Sequence, residues 1–325
     1  MEKLLTVVVP VYKVEEYINK CLDSLILPEE QMDLLEVIIV NDGTPDRSAE
    51  MAREYEKRFP KTFRVIDKEN GGHGSACNRG LKEAKGKFLR FLDSDDWVHT
   101  GNLSILMNKL LKCDADIIFS DVNRYYSESD INVLISYPKL PKGKIIQTDS
   151  FDWNILGITE GSVGFHQCTY KSSMLQPLYP LFLEKQCYDD GILWIAPIVY
   201  SNTLIYFPGV IYNYLLGRDG QSVSKGMVLK RYRDMENLIK SQILMAKRCN
   251  NLSVSKQKRI YTIISTMIMK HCERLSLLPY KQSKYELEKW YHYLIKEWPN
   301  YKESKKMRIY KYVPYSLYWL LCKYV

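Results

Sequence analysis

The run Lys87-Phe88-Leu89-Arg90-Phe91-Leu92-Asp93-Ser94-Asp95-Asp96-Trp97 ends an apolar strand in three carboxylates within four residues. Carboxylates this dense repel one another and raise each other's pKa unless a cation sits among them. Hard divalent cations take oxygen ligands, and Mg²⁺ in particular is held by one or two carboxylates together with substrate phosphates. The tip of a strand is also where open α/β sheets bind their ligands. The expected chemistry is a metal-bridged phosphate ester, with a nucleotide as the foremost candidate. An EF-hand loop is excluded, because its sixth and twelfth positions call for Gly and Glu and the chain has Val98 and Ser104 there. The plainer alternative is a solvated acidic cap on the helix that follows.

Other segments could serve the same chemistry. Asp189-Asp190 lies between Tyr188 and Gly191, ahead of the apolar Ile192, Leu193, Trp194 and Ile195. Partial desolvation there would tune one carboxylate toward general-base work; otherwise the pair is favoured by a helix N-terminus. Asn41-Asp42-Gly43 follows an apolar strand, where a carboxylate can accept hydrogen bonds from a base or ribose. An Asx turn is the alternative. Glu69-Asn70-Gly71-Gly72-His73-Gly74 opens a helix, and its glycines let backbone N–H groups approach a ligand. It is not the dinucleotide fingerprint. Counting from Gly72, the last glycine position holds Cys77, and the run follows the third strand rather than the first. A nicotinamide enzyme is therefore disfavoured. Arg218-Asp219-Gly220-Gln221-Ser222 places an Arg among hydroxyls, which suits a diphosphate, although a surface turn has the same composition.

These segments need a scaffold, and the hydrophobic pattern supplies one. Residues 5–10, 35–40, 62–66, 87–92 and 116–120 read as strands. Between them Val14, Ile18, Cys21, Leu22 and Leu25, then Met51, Ala52, Tyr55 and Phe59, then Leu103, Leu106, Met107 and Leu110 recur at helical spacing. Residues 75–84 read as a further helix, and Thr44-Pro45 reads as an N-cap with proline in the first turn. Strands alternating with helices imply βαβ units and a parallel sheet. Residues 121–175 are irregular with short β-prone runs, and 226–249, 255–278 and 282–297 read as helices. The expected organisation is a catalytic domain over 1–225 and a basic, mostly helical region over 226–325.

Composition bounds the reading. The chain of 325 residues fits one large domain or one with an appendage, and 46% hydrophobic with 26% charged content is ordinary for a globular protein. The N-terminal Met1-Glu2-Lys3-Leu4-Leu5-Thr6-Val7-Val8-Val9-Pro10 reads as a strand rather than a signal peptide. No stretch reaches the roughly 18 apolar residues of a membrane span. The eight cysteines form no C-x-x-C pair and read as reduced thiols in cytoplasm. Residues 225–325 hold 22 basic and 7 acidic side chains, a balance of +15, against 24 and 31 before them, a balance of −7. Such asymmetry points to a basic region meeting an anionic surface. Residues 302–325, a basic cluster followed by an aromatic apolar end, read as an interfacial membrane segment or as a last helix packed on the body. Nucleic acid is not expected, since the aromatics there pair with aliphatics.

In order and spacing, Val9-Pro10-Val11-Tyr12, Val40-Asn41-Asp42-Gly43, Asn70-Gly71-Gly72 and Phe91-Leu92-Asp93-Ser94-Asp95-Asp96 resemble the inverting glycosyltransferases of family 2, of the bacterial polysaccharide-synthesis type. The resemblance is close over residues 5–100 and resumes at Asp189-Asp190 and at 218–222. It implies the GT-A fold, an α/β Rossmann-like, mostly parallel sheet flanked by helices. By resemblance, Pro10, Val11, Tyr12, Asp42, Lys68, Asn70, Gly71 and Gly72 line a nucleotide pocket, with Asp42 on the base and Asp93 and Ser94 beside it. Asp93 and Asp95 form the D-x-D that holds Mn²⁺ or Mg²⁺, Asp95 as a direct ligand. Asp189-Asp190 matches a Glu-Asp pair whose second member is the general base, and Arg218 and Ser222 match an Arg-x-x-x-Ser that closes over the diphosphate. Asp96 and Trp97 fall where an acceptor would meet the site. One departure is Ala76-Cys77-Asn78-Arg79-Gly80, where the family commonly reads Ala-Arg-Asn-x-Gly.

The implied partners are a UDP-sugar and a saccharide or polyprenyl-diphosphate-linked acceptor. The implied location is the cytoplasm, peripheral at the inner face of the membrane. Two other classes share parts of the pattern. A nucleotidyltransferase would carry a Gly-rich phosphate loop where this chain has Val11-Tyr12-Lys13. A non-catalytic sugar-nucleotide-binding module would not need Asp190.

Overall fold

Seven successive buried residues, Leu5–Val11 (β1), are what a strand covered on both faces requires. In the computed structural model, which describes residues 2–157, 164–217, 229–249 and 251–298, β1 lies between two parallel neighbours. It pairs with β2 (Leu35–Asn41) from Leu5↔Leu35 to Val11↔Asn41, and with β4 (Phe88–Phe91) from Leu5↔Phe88 to Val8↔Phe91. β3 (Phe63–Asp67) adds to β2, also in parallel. Helices α1 (Ile18–Asp23) and α2 (Glu29–Met32) follow β1, α3 (Ser48–Arg58) follows β2, and α4 (His73–Glu83) follows β3. β5 (Trp97–Val98) and α5 (Thr100–Leu110) come after β4.

Beyond β4 the sheet becomes mixed. β6 (Ile117–Tyr126), β7 (Ile131–Ile135), β8 (Ile146–Gln147), β9 (Cys168–Lys171) and β10 (Thr203–Leu216) complete a ten-stranded sheet in the order β3-β2-β1-β4-β9-β6-β10-β5, with β7 on β6 and β8 on β10. The parallel half ends at β4 and β9 enters antiparallel beside it. That junction lies next to the carboxyl end of β4, which carries the acidic run. α6 (Ser172–Leu175) and α7 (Ala196–Tyr200) are short connectors. The chain then forms α8 (Tyr232–Arg248), α9 (Val254–Ser276) and α10 (Tyr280–Glu297). Their apolar faces join the sheet's core without a break: Leu238 and Ile239 of α8 belong to the same buried cluster as Ile192, Leu193 and Val8. No helix among the described residues is long and apolar enough to cross a membrane.

Boundaries differ from the sequence reading in informative places. α3 starts at Ser48 rather than at Thr44-Pro45, because the Thr44 hydroxyl is already engaged. It accepts the Lys13 N–H at 2.8 Å and donates to Asp46 at 2.6 Å, and Asp46 receives the Ser48 N–H at 3.2 Å. α4 starts at His73, directly after Gly72, and β6 runs on to Tyr126 because β10 stays paired with it. Arg218, Ser222, the 225/226 boundary and the segment 302–325 lie outside the described residues.

α4 approaches β1 through Gly80. A Cβ there would come within 2.2 Å of Val8 Cγ1, a short, stiff, buried side chain. Gly80→Ala should therefore destabilise by about 1–3 kcal/mol through overpacking, despite alanine's better helix propensity. Urea denaturation reads this directly, and unchanged stability would mean that α4 can shift off β1.

Candidate active site

The carboxyl ends of β1, β2 and β3 are laced together: Asp42 N–H donates to Val11 O at 3.0 Å and Lys68 N–H to Asn41 O at 3.0 Å. Pro10 and Val11 are buried within β1, and Tyr12 is exposed at its end. Asp42 is buried, and its carboxylate accepts from Lys68 Nζ at 2.5 Å, Gly71 N–H at 2.9 Å and Gly72 N–H at 2.8 Å. The Asn70 side chain donates to Asp42 O at 2.9 Å. Gly72 has φ +85°, and a Cβ on it would lie 3.2 Å from Lys185 N, so glycine is required by both conformation and space. Asp42 thus organises the glycine-rich loop that opens α4, and its carboxylate is occupied by the chain's own donors.

At the end of β4 the Asp96 N–H donates to Asp93 O at 3.0 Å, closing a tight turn over residues 93–96. A closed turn brings its first and fourth residues together and leaves the third at a corner. Asp93, Asp96 and His166 accordingly place one ligand atom each within 4.8 Å of one another, a group to which half-buried Asp95 does not belong. Two carboxylates and an imidazole form a donor set that fits a divalent cation such as Mn²⁺. Ser94 is buried within the turn. Asp96 points inward, where its carboxylate accepts from the Tyr212 hydroxyl at 2.5 Å and the Leu215 N–H at 2.7 Å. Burial, with Asp95 and Asp93 nearby, holds its pKa well above the ordinary carboxylate range. This packing sets the surroundings of Asp96 and Trp97, the two residues expected to lie near an acceptor. Asp96 is 1% exposed, and the Trp97 ring is covered by Lys20 Nζ at 3.1 Å from its centroid and by the edge of Tyr125 at 5.9 Å.

His166 stacks on Phe165 at 4.2 Å and meets Tyr214 at 4.5 Å. Burial pushes its pKa down to about 4, so the ring is neutral at pH 7, the form that binds metals. Fully buried Arg90 fixes its backbone, donating to His166 O at 2.5 Å and to Thr169 Oγ1 at 2.9 Å.

His73 joins the two acidic groups. Its Nδ1 lies 2.8 Å from Asp189 Oδ2 and its Nε2 lies 3.0 Å from Asp93 Oδ1. Ionised carboxylates only accept, so a ring serving both carries a hydrogen on each nitrogen and is cationic. Burial opposes that charge, but Asp189, Cys77 and Asp93 together outweigh it and hold the pKa well above the usual histidine value. Cys77, at the position where the family commonly has Arg, lies 3.6 Å from Nε2, while Arg79 pairs with Glu83 at 3.1 Å. Asp189 is buried against this cation and Asp190 is half-buried. Burial, reinforced by Asp189, pushes the Asp190 carboxyl up to about 7. The two open a 3₁₀ turn, Asp189–Trp194, entered through Tyr188 at φ +63°.

The fold therefore brings Asp42, Lys68, Asn70, Gly71, Gly72, Asp93 and Asp189 into one hydrogen-bonded neighbourhood, with Asp190 next to Asp189. His73, His166 and Tyr212 had no assigned role in the sequence reading. His73 lay inside the glycine-rich run, which was a usable signal; His166 and Tyr212 carried none.

The chain matches the sequence profile of glycosyl transferase family 2 over residues 6–171. It is 36% identical over 146 residues to the uncharacterised glycosyltransferase EpsJ of Bacillus subtilis, covering 45% of this chain and 41% of that one. It is 26% identical over 246 residues to the poly(ribitol-phosphate) beta-glucosyltransferase of Bacillus spizizenii, covering 72% and 36% respectively. It thus spans less than half the length of either relative. Among solved structures it resembles residues 1–349 of S. aureus TarS in complex with UDP-GlcNAc, with TM-score 0.56, 19% identity and coverage of 85% and 83%. At that identity the likeness shows the fold alone, which is GT-A.

Proposed function

We propose, since the chain belongs to the family 2 glycosyltransferases, that it moves a hexosyl or N-acetylhexosaminyl group from a nucleoside-diphosphate sugar, UDP-linked, to a hydroxyl of a saccharide or lipid-linked saccharide in cell-surface polysaccharide synthesis. The observation that carries this reading is the His73 bridge, which sets the Asp189-Asp190 pair, with the Asp190 carboxyl raised to about 7, beside the acidic turn of β4. The names of the relatives, a poly(ribitol-phosphate) glucosyltransferase among them, support a polysaccharide context, and the UDP-GlcNAc complex supports a UDP-sugar donor.

Asp190 is the general base. Its carboxylate takes the proton of the acceptor hydroxyl as that oxygen attacks the anomeric carbon from the face opposite the diphosphate. The bond from anomeric carbon to phosphate oxygen breaks with its electron pair on the leaving diphosphate, so configuration inverts. Asp189, held by His73, keeps a second negative charge beside Asp190 and so strengthens it as a base. Asp93, with Asp96 and His166 or with Asp95, would hold Mn²⁺ or Mg²⁺, which when bound supplies positive charge to the leaving group. Asp42 shapes the nucleotide side through Lys68, Gly71 and Gly72, with Pro10, Val11, Tyr12 and Asn70 around it, and Arg218 and Ser222 close over the diphosphate. Residues 1–225 form the catalytic unit and 226–325 its helical region. The positive balance of the latter, +15 from residue 225 on, suits an anionic membrane surface carrying a polyprenyl-diphosphate acceptor. Failure to sediment with anionic vesicles at low salt would remove that last point.

The reading is tested by metal-dependent hydrolysis of UDP-glucose, UDP-galactose, UDP-GlcNAc and UDP-GalNAc with Mn²⁺ or Mg²⁺. At least one should turn over and release UDP, and silence from all of them would reject the donor class. Asp42→Ala should strip an acceptor from two amides and an ammonium at a cost of about 1–3 kcal/mol, read by calorimetry as UDP binding about 5- to 150-fold weaker. Unchanged affinity would remove Asp42 from the nucleotide side.

A further inference from the structure

The turn that carries Asp189 and Asp190 does not hold its own shape. Tyr188 and Lys185 are non-glycine residues at φ +63° and +57°, a conformation that persists only where surroundings over-determine it. On one side the restraint comes from α4 and the glycine loop before it. Asn78 Oδ1 accepts the N–H groups of Leu181 and Phe182, each at 2.9 Å, and Lys185 N–H donates to Gly71 O at 2.8 Å. On the other side it comes from α8. Asp234 accepts the Cys187 N–H at 3.0 Å, Asn237 donates to Gln186 at 3.1 Å, and Gln242 Nε2 donates to Gly191 O at 2.8 Å. Leu238 seats directly on Gly191, where a Cβ would come within 2.4 Å of its Cδ2. Arg274 of α9 lies 5.2 Å from the Tyr188 ring.

Gln242 is the informative member. It is 0% exposed on the apolar face of α8, among Leu238, Ile239 and Ile243, and its Oε1 has no partner among the described residues. A buried amide with an unmet acceptor costs stability, and an apolar side chain of the same length would pack there at less cost. What the amide does supply is a hydrogen bond to the carbonyl next to Asp190. α8 also lies outside the residues that match the family profile, 6–171.

We propose that Gln242 and Asp234 are positioning residues: α8 clamps the acid turn at both ends so that Asp190 faces the acceptor hydroxyl. The C-terminal helices are then part of the catalytic centre rather than an appendage to it. This rests on the reading of Asp190 as the base.

The test uses full-length Gln242→Met and Asp234→Ala with Asp190→Asn alongside, assayed on the same UDP-sugar panel with Mn²⁺. Misplacing a reacting group by about 1 Å costs up to ~10²-fold, so kcat should fall about 10- to 100-fold in the clamp variants. KM for the donor and calorimetric UDP affinity should stay within about twofold, since neither variant touches the nucleotide side. Gln242→Met should leave the melting temperature about unchanged, since removing the unmet Oε1 offsets the lost bond to Gly191 O, and amide exchange at residues 187–195 should quicken. A merely structural role gives the opposite pairing, lost stability with kcat intact. Normal kcat in both clamp variants with Asp190→Asn inactive overturns the clamp alone. An active Asp190→Asn overturns the base assignment instead. Should Gln242→Met fail to fold, half-buried Asp234, in the first turn of α8, decides the matter.

Discussion

Asp190→Asn lowers kcat by about 10²- to 10⁴-fold, the usual contribution of a positioned general base, while UDP still binds. The amide keeps the shape of the side chain and cannot take a proton, so only the chemical step is lost. The same residue sets the pH dependence. A base works deprotonated, and burial with Asp189 alongside raises the Asp190 carboxyl to about 7. Wild-type kcat should therefore be level above that value and fall about tenfold for each pH unit below it. A carboxyl whose pKa is raised in the folded state stabilises the fold only while protonated, and that contribution is lost as pH rises through about 7. At pH 8 the ionised, crowded Asp190 weighs against folding, so the inactive Asp190→Asn protein should melt higher than wild type. Loss of activity together with a gain in stability cannot come from misfolding. Substantial turnover in Asp190→Asn, or a rate that keeps falling only near pH 4, would end the assignment.

Asp93→Ala is the second large effect, about 10²- to 10³-fold in kcat, the scale of losing one preorganised electrostatic contact to a developing negative charge. Two independent structures meet on this side chain. It belongs to the Asp93–Asp96–His166 group, and its Oδ1 receives one end of the His73 bridge. The variant should lose most of its response to Mn²⁺ in a calorimetric titration as well as in the assay. His166→Ala and Asp95→Ala then separate two descriptions of the cation site. If the three-residue group is correct, His166→Ala raises the Mn²⁺ needed for half-maximal rate and Asp95→Ala changes it little. The reverse outcome restores the Asp93–Asp95 pair. An Asp93→Ala protein with undiminished, Mn²⁺-responsive turnover would remove the acidic turn from the chemistry altogether.

Much was legible in the residues themselves. Short, β-branched, mostly apolar runs at 5–10 and 35–40 read as strands covered on both faces, and helical periods between them imply parallel pairing; β1, β2 and β4 follow from that logic. The acidic turn after β4, the Asx-Gly after β2 and the glycine run after β3 are local too, each a few residues that bend the chain where a strand stops. Thr44-Pro45 shows where local reading stops being enough. It looks like a helix start, yet its hydroxyl is claimed by Lys13 from another loop, and α3 begins at Ser48.

What the tertiary structure alone decided is which of these groups face one another. β9 lies beside β4, and β5, just past the acidic turn, pairs with β10; together these pairings bring His166 and Tyr212 to Asp93 and Asp96 across long stretches of chain. Closing the 93–96 turn selects Asp96 over Asp95 for the inside, a choice set by backbone geometry and invisible in a string of three aspartates. The His73 bridge and the grip of α8 on Gly191 likewise join residues far apart in sequence. Hydrophobic periodicity and turn chemistry act over a few residues and so can be read directly. Electrostatic neighbours are fixed by packing, whose outcome depends on every element at once.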